Sequence, residues 1–121
     1  MKIHIDEFIE GIPYSKDKVR GDVEAPKRWS KTVEEATQHL PKVHGRVSIN
    51  VSFILPKDKY PKDHPQGPDL DNLLKRFLDA LCATVLSEAE GKDGAIVKLT
   101  VSKKQVRSAE LSGVRMILNE L

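Results

Sequence analysis

The clearest pattern in the chain is an alternation of apolar and polar residues over positions 43–55. Because every second side chain of a strand points to the same face, this alternation predicts a β-strand with one buried face. Shorter alternations predict three more strands, over 3–5, 97–101 and 114–118. The last two are joined by a polar stretch, 102–113, and this spacing predicts a hairpin between them.

Two other segments carry apolar residues at helical spacing. The first covers 26–40, where Pro26 suits the first turn and Pro41 ends the helix. The second covers 69–85 and has the strongest periodicity in the chain. Its apolar stripe consists of Leu70, Leu73, Leu74, Phe77, Leu78, Leu81 and Val85. The order of elements predicts an α+β fold in one domain, 1–121: a small mixed four-stranded β-sheet with two packed helices (β-α-β-α-β-β).

Composition narrows the class of protein. The 121 residues suffice for one hydrophobic core, helped by oligomerisation. The formal charge of +2 argues against a generic binder of polyanions. The single cysteine, Cys82, excludes an intramolecular disulfide and a cysteine-rich zinc site, and its apolar neighbours indicate a buried thiol. A secretory signal and a membrane-spanning stretch are both absent from the pattern, so a cytoplasmic protein is expected.

A proline-rich, basic segment precedes the second helix. Residues 56–68 contain four of the seven prolines together with Lys57, Lys59 and Lys62. This proline density predicts a stiff, extended connection that stays outside the sheet. Such a segment serves either as a simple connector or as a functional loop, and the pattern is compatible with both.

The second helix opens with two carboxylates, Asp69 and Asp71, and carries Lys75 one turn later. One interpretation is structural: Asp69 caps the helix, while Asp71 favours the helix dipole and pairs with Lys75. The other is a hard-cation site, in which the two carboxylates bind Mg²⁺ and a third comes from Asp93 or, failing that, Glu90. Lys75 would then hold the scissile phosphate or stabilise the leaving oxygen.

Two short runs of residues with fixed spacing distinguish this helix from an ordinary amphipathic helix. They read Asp69-Leu70-Asp71-Asn72-Leu73-Leu74-Lys75 and Leu78-Asp79-Ala80-Leu81. Together they resemble the signature of the RusA family of Holliday junction resolvases, which is D-x-D-N-x-x-K with D-A-L shortly after. The order of elements and the chain length are similar to that family as well.

The resemblance implies a Mg²⁺-dependent homodimer, with Mn²⁺ able to substitute. Such an enzyme cuts opposing strands of a four-way DNA junction symmetrically, during recombination and repair, and each subunit supplies one site. The implied catalytic residues are Asp69, Asp71, Lys75 and Asp93, of which the three aspartates bind the metal. Many family members carry adjacent aspartates where this chain has Lys92 followed by Asp93. This departure keeps Glu90 as an alternative ligand.

Junction DNA, the implied partner, requires cations near the carboxylates, because phosphate contacts supply most of the affinity. The residues that we expect to bind DNA are Lys57, Lys59, Lys62 and Arg76, with Lys16, Lys18 and Arg20 nearer the N-terminus. A third basic run consists of Lys98, Lys103, Lys104 and Arg107. The departure at Lys92 leaves a second function open, a non-catalytic protein that binds junction or duplex DNA with the same fold. A structural or protein-interaction domain is a third possibility, in which the aspartates only start the helix.

Overall fold

The structure, a computed structural model, describes residues 2–15, 21–57 and 69–121. Its strands and helices are, in chain order, β1 His4–Glu10, α1 Ala25–Thr37, β2 Val47–Pro56, α2 Leu70–Cys82, β3 Ile96–Val106 and β4 Gly113–Glu120. Short 3-10 turns, Lys92–Ala95 and Ala109–Leu111, precede β3 and β4. The predicted α+β order of elements is therefore confirmed. No helix in the described part of the chain has the length and apolarity needed to cross a membrane.

The four strands form one mixed sheet in the order β1-β4-β2-β3. Strand β4 runs antiparallel to both β1 and β2, whereas β3 runs parallel to β2. The predicted hairpin between the last two strands is wrong, because β2 lies between β3 and β4. The physical reason is burial. Alternate β2 residues from Val47 to Leu55 are at most 1% exposed, so β2 takes a central position, while the largely exposed β3 takes an edge.

Both helices contribute to one hydrophobic core with the buried face of the sheet. Trp29 and Val33 reach it from α1, and Leu73, Phe77 and Leu81 reach it from α2. The ring of Phe77 meets that of Phe53 edge-on, with centroids 5.9 Å apart. Both helices are shorter than the sequence pattern indicates, because the apolar periodicity continues into the turns that follow each of them.

The direction of α2 decides where its two ends lie. Strands β2 and β3 are parallel and consecutive around α2, so the three elements form a β-α-β unit. Because α2 returns the chain from the end of β2 to the start of β3, its first turn lies at the carboxyl end of these strands. Its last turn lies at their amino end, where β3 begins.

Candidate active site

The first turn of α2 carries two exposed carboxylates. Asp69 occupies the N-cap position in an extended conformation, and its backbone carbonyl accepts a hydrogen bond from the Leu73 amide at 3.0 Å. Its side chain forms no capping hydrogen bond. Asp71 lies in the first turn and is exposed. The backbone positions match the structural interpretation of this helix start, but the Asp69 carboxylate is not used as a cap.

Lys75 lies one turn after Asp71 and is also exposed. Its ammonium group makes no ion pair with Asp71 or with any other described residue. An i, i+4 acid–base pair of the expected kind does form on α1, between Lys31 and Glu35, with 3.8 Å between nitrogen and oxygen. The spacing of Asp71 and Lys75 therefore permits a pair that the side chains do not make.

The orientation of this polar face follows from the opposite face of α2. Leu73, Phe77 and Leu81 are fully buried, and Leu70, Leu74 and Leu78 pack against the same core. Burial of one large apolar side chain is worth about 1.5–3 kcal/mol, so this stripe holds the helix in one rotation. The remaining face, with Asp71, Asn72, Lys75 and Asp79, is exposed to solvent.

Asp93 lies at the other end of α2. It belongs to the 3-10 turn before β3, and its backbone hydrogen-bonds the thiol of Cys82, the last residue of the helix. Cys82 is half-buried, so the expectation of a buried thiol is only partly met, because it lies at the end of the helix. Burial is still the main reason that its pKa is raised above the ordinary value, which favours the protonated thiol. Glu90, the alternative ligand, lies in the turns between Cys82 and Asp93, at the same end.

The length of α2 separates Asp93 from the first two carboxylates. Asp71 and Cys82 lie about 17 Å apart along the helix, at about 1.5 Å per residue. Oxygen ligands of Mg²⁺ lie about 2.1 Å from the ion. Two aspartate side chains do not span the remaining gap, so α2 keeps the carboxylates of Asp71 and Asp93 in one chain apart. Accordingly, the described residues of one chain contain no group of three Asp, Glu, His or Cys side chains that could hold a metal.

The basic residues divide into three groups. Arg76 joins the two helices, because its guanidinium donates to the Pro26 carbonyl at 3.1 Å and to Ser30 Oγ at 2.9 Å. Lys57, Lys98 and Lys104 are exposed, at the end of β2 and along β3. The remaining predicted DNA contacts lie outside the described residues; these are Lys16, Lys18, Arg20, Lys59 and Lys62.

A cleft of about 430 Å³ lies between α1 and α2, and Lys75 is part of its lining. Its lining residues are Ser15, Ser30, Glu34, Asn72, Lys75, Arg76, Asp79 and Ala80. The sequence pattern missed the contributions of Ser15, Ser30 and Glu34, because they come from segments far from α2 in the chain. The polar face of the predicted first helix was the only signal, and such a face is usually just solvated.

Comparison with known protein families adds one finding. A family model described as Endodeoxyribonuclease RusA matches residues 14–115 of the 121-residue chain. The matched region contains α1, α2 and the turn that carries Asp93, and thus every residue of the candidate site. A search of curated proteins finds no match.

Proposed function

The chain belongs to the RusA endodeoxyribonuclease family, and from this membership we propose that it is a Mg²⁺-dependent endonuclease that resolves four-way DNA junctions. The observation that carries the proposal is the state of the α2 carboxylates. Asp69 does not cap the helix, and the described structure contains no Asp71–Lys75 ion pair. The structural interpretation therefore accounts only for the helix-dipole interaction of Asp71 and leaves the side chains of Asp69 and Lys75 without a role. Metal-dependent phosphodiester hydrolysis uses all three side chains.

The donor set fits the metal. Carboxylate oxygens are the ligands that Mg²⁺ takes from proteins, and it needs only one or two of them beside water and substrate phosphate. Asp69 and Asp71 would hold the ion. When bound, a divalent ion supplies a Lewis acid that polarises the phosphate and lowers the pKa of water.

Lys75 acts on the phosphate itself. Its ammonium group lies one helical turn from Asp71, about 6 Å along the axis for four residues. It would neutralise charge that develops on the phosphoryl oxygens and donate a hydrogen bond to the leaving oxygen. The lack of a competing ion pair keeps its protons available for this task.

The third carboxylate, Asp93, enters the site from a second copy of the chain. Strand β3 forms one edge of the sheet and β1 the other, and Val97 and Leu99 on β3 are 54% and 44% exposed. An edge strand with exposed apolar residues favours pairing with another chain. Antiparallel pairing of two β3 edges reverses one copy, so its Asp93 approaches the carboxyl end of the other, where Asp69 and Asp71 lie. Such a homodimer has two sites and suits paired cuts across a junction.

Cleavage of a synthetic four-way junction tests the catalytic part. With Mg²⁺, or with Mn²⁺ in its place, the wild type should nick opposing strands symmetrically. Asp71→Asn should lower the cleavage rate about 100-fold or more, because it removes a metal ligand, and should bind the junction within about threefold of the wild type. Asp6→Asn is the matched control. Asp6 pairs with Arg115 on β1 and β4, away from α2, so its loss should leave the rate unchanged.

One result would reject the nuclease function, and another would reject the proposed metal site. A wild type that binds the junction tightly but yields no product with either metal is a non-catalytic DNA-binding protein. Undiminished cleavage by Asp71→Asn would remove the carboxylates from the reaction.

A further inference from the structure

The two helices that form the walls of the cleft, α1 and α2, are joined to each other by hydrogen bonds. Arg76 reaches from α2 to the Pro26 carbonyl and Ser30 Oγ on α1, and these two hydrogen bonds hold the helices at their observed separation. The cleft volume of about 430 Å³ lies in the range of ligand pockets, about 300–1,000 Å³. It therefore exists before any substrate binds.

The cleft begins at the proposed catalytic lysine. Asn72 and Lys75 line the cleft on α2, and Asp79 lines it one turn further along the same helix. A turn of helix rises about 5.4 Å, so the cleft extends by roughly that distance from Lys75 in the direction away from Asp71. If Lys75 contacts the scissile phosphate, the part of the substrate that reaches the cleft is the adjoining nucleotide.

The charges of the walls select which part of a nucleotide enters. Glu34 on α1 and Asp79 on α2 are carboxylates that repel a phosphate, while Asn72 offers a neutral amide. The side chains of these three residues have no hydrogen-bond or ion-pair partner among the described residues. The lining also carries two cations, but Lys75 is assigned to the scissile phosphate and Arg76 is bound to α1. The groups left in the cleft for the substrate are therefore two carboxylates and an amide, which repel a second phosphate but accept hydrogen bonds from a nucleobase. Its Watson–Crick edge becomes available only when the base leaves the stack, as at a branch point.

We infer that this cleft receives one unstacked base beside the scissile phosphate, and that Glu34 and Asp79 make it select bases with an exocyclic amino group. The inference rests on the proposed nuclease function. Carboxylate oxygens only accept hydrogen bonds, and the amino groups of cytosine, adenine and guanine donate them. Thymine has no amino group: its single donor on that edge, N3–H, lies between two carbonyl oxygens that the carboxylates repel.

The test uses a mobile four-way junction whose homologous core presents all four bases at successive positions. Cleavage sites are mapped at nucleotide resolution with Mg²⁺ for the wild type, Glu34→Gln and Asp79→Asn. The wild type should cut next to thymine at least about fivefold less often than next to the preferred base, on the scale of one good base contact. Each variant should reduce that ratio to below about twofold, a change in the distribution of sites that a general loss of activity would not produce.

Glu35→Gln is the control, because Glu35 is the next residue of α1, is exposed and does not line the cleft. In the described part of the chain it pairs with Lys31 on the same helix. It should retain the wild-type distribution of cleavage sites. An even distribution in the wild type, or a biased one that neither cleft variant alters, overturns the inference while the nuclease function stands. A wild type that cuts no junction overturns both.

A second measurement does not depend on cleavage. 2-Aminopurine, which carries an exocyclic amino group, is placed beside the mapped cleavage position, and fluorescence is recorded in the uncut complex with Asp71→Asn. Unstacking into the cleft should raise the fluorescence at least about twofold over free junction. Combination of Asp71→Asn with Asp79→Asn should lower that rise. Fluorescence equal to that of the free junction would show a base that stays stacked, and would overturn the inference.

Discussion

At the scale of single residues, the charged side chains divide into those that hold the fold together and those that do not. Glu120 belongs to the first group: its carboxylate accepts hydrogen bonds from the amides of His44 at 3.0 Å, Gly45 at 3.3 Å and Ile3 at 3.4 Å. Asp69 and Asp71 belong to the second group, since neither side chain has a comparable contact with the residues that the structure describes. A charged side chain that holds no other part of the fold in place is available for selection for chemistry.

The Glu120 contacts predict a dependence of stability on pH. The amide of His44, followed by that of Gly45, holds the pKa of the Glu120 carboxyl below its ordinary value of 4.5. A carboxyl whose pKa is lowered in the folded state adds stability above its unfolded pKa and loses it as the pH falls through the folded pKa. Urea unfolding should show wild type more stable than Glu120→Gln at pH 7, and the difference should shrink progressively below about pH 4.5. A difference that is constant from pH 7 to pH 3 would contradict this.

At the scale of elements, the position of each strand in the sheet follows from whether its two hydrogen-bonding edges can be left unpaired. β2 has a buried face along its whole length and pairs on both sides, with β3 and β4. In the described part of the chain, β3 is hydrogen-bonded to β2 alone, and most of its side chains are exposed. The connection over 107–112 therefore carries the chain across the end of β2 rather than back along β3. Burial, and not closeness in sequence, decides the strand order.

The start of β4 gives a prediction at this scale. Gly113 faces β1 so closely that an added Cβ would meet the Ile9 carbonyl oxygen and lie 2.7 Å from Phe8 Cζ. Gly113→Ala should lower the free energy of unfolding by about 2–4 kcal/mol, because the β1–β4 pairing must open to accept the methyl group. Chemical denaturation measures this loss. Gly45→Ala is the control, since no atom lies within 4 Å of its added Cβ, and it should change stability by less than about 1 kcal/mol.

At the scale of the whole molecule, one chain is an incomplete enzyme on the proposed mechanism. Its net charge of +2 averages an acidic helix start with basic surfaces, of which Lys98 and Lys104 line the same edge strand that is proposed to pair. On this proposal two copies double the positive charge offered to one junction, and each supplies its Asp93 to the site of the other. The length of α2 is the reason that Asp93 is proposed to come from the second copy.

Mixed dimers test this requirement. Asp71→Asn and Asp93→Asn should each be inactive alone, because every site in either homodimer lacks one ligand. When the two variants are denatured together and refolded, half of the dimers should be mixed if assembly is random. Each mixed dimer contains one site with both mutations and one with neither. The mixture should therefore nick a junction at about a quarter of the wild-type rate, as counted by intact sites. No activity in the mixture, with dimers present by sedimentation, would place all three ligands in one chain.

By itself, the sequence determined the local features of this protein. The alternation over 43–55 and the apolar stripe of the second helix predicted β2 and α2, because periodicity of side chains is a property of consecutive residues. The spacing of Asp69, Asp71 and Lys75 likewise placed them on one helix before any fold was known. The resemblance to RusA came from this same local run, and the family match bears it out.

Only the tertiary structure decided relations between distant segments. It placed β2 between β3 and β4, where closeness in sequence indicates a hairpin. It set Asp93 at the far end of α2, although the chain between them is short, because a parallel β-α-β unit must return to the start of the next strand. It also opposed Glu34 and Asp79 across one cleft. These arrangements depend on how the buried faces of different elements pack together. The spacing of residues within one element does not show which other element it will pack against.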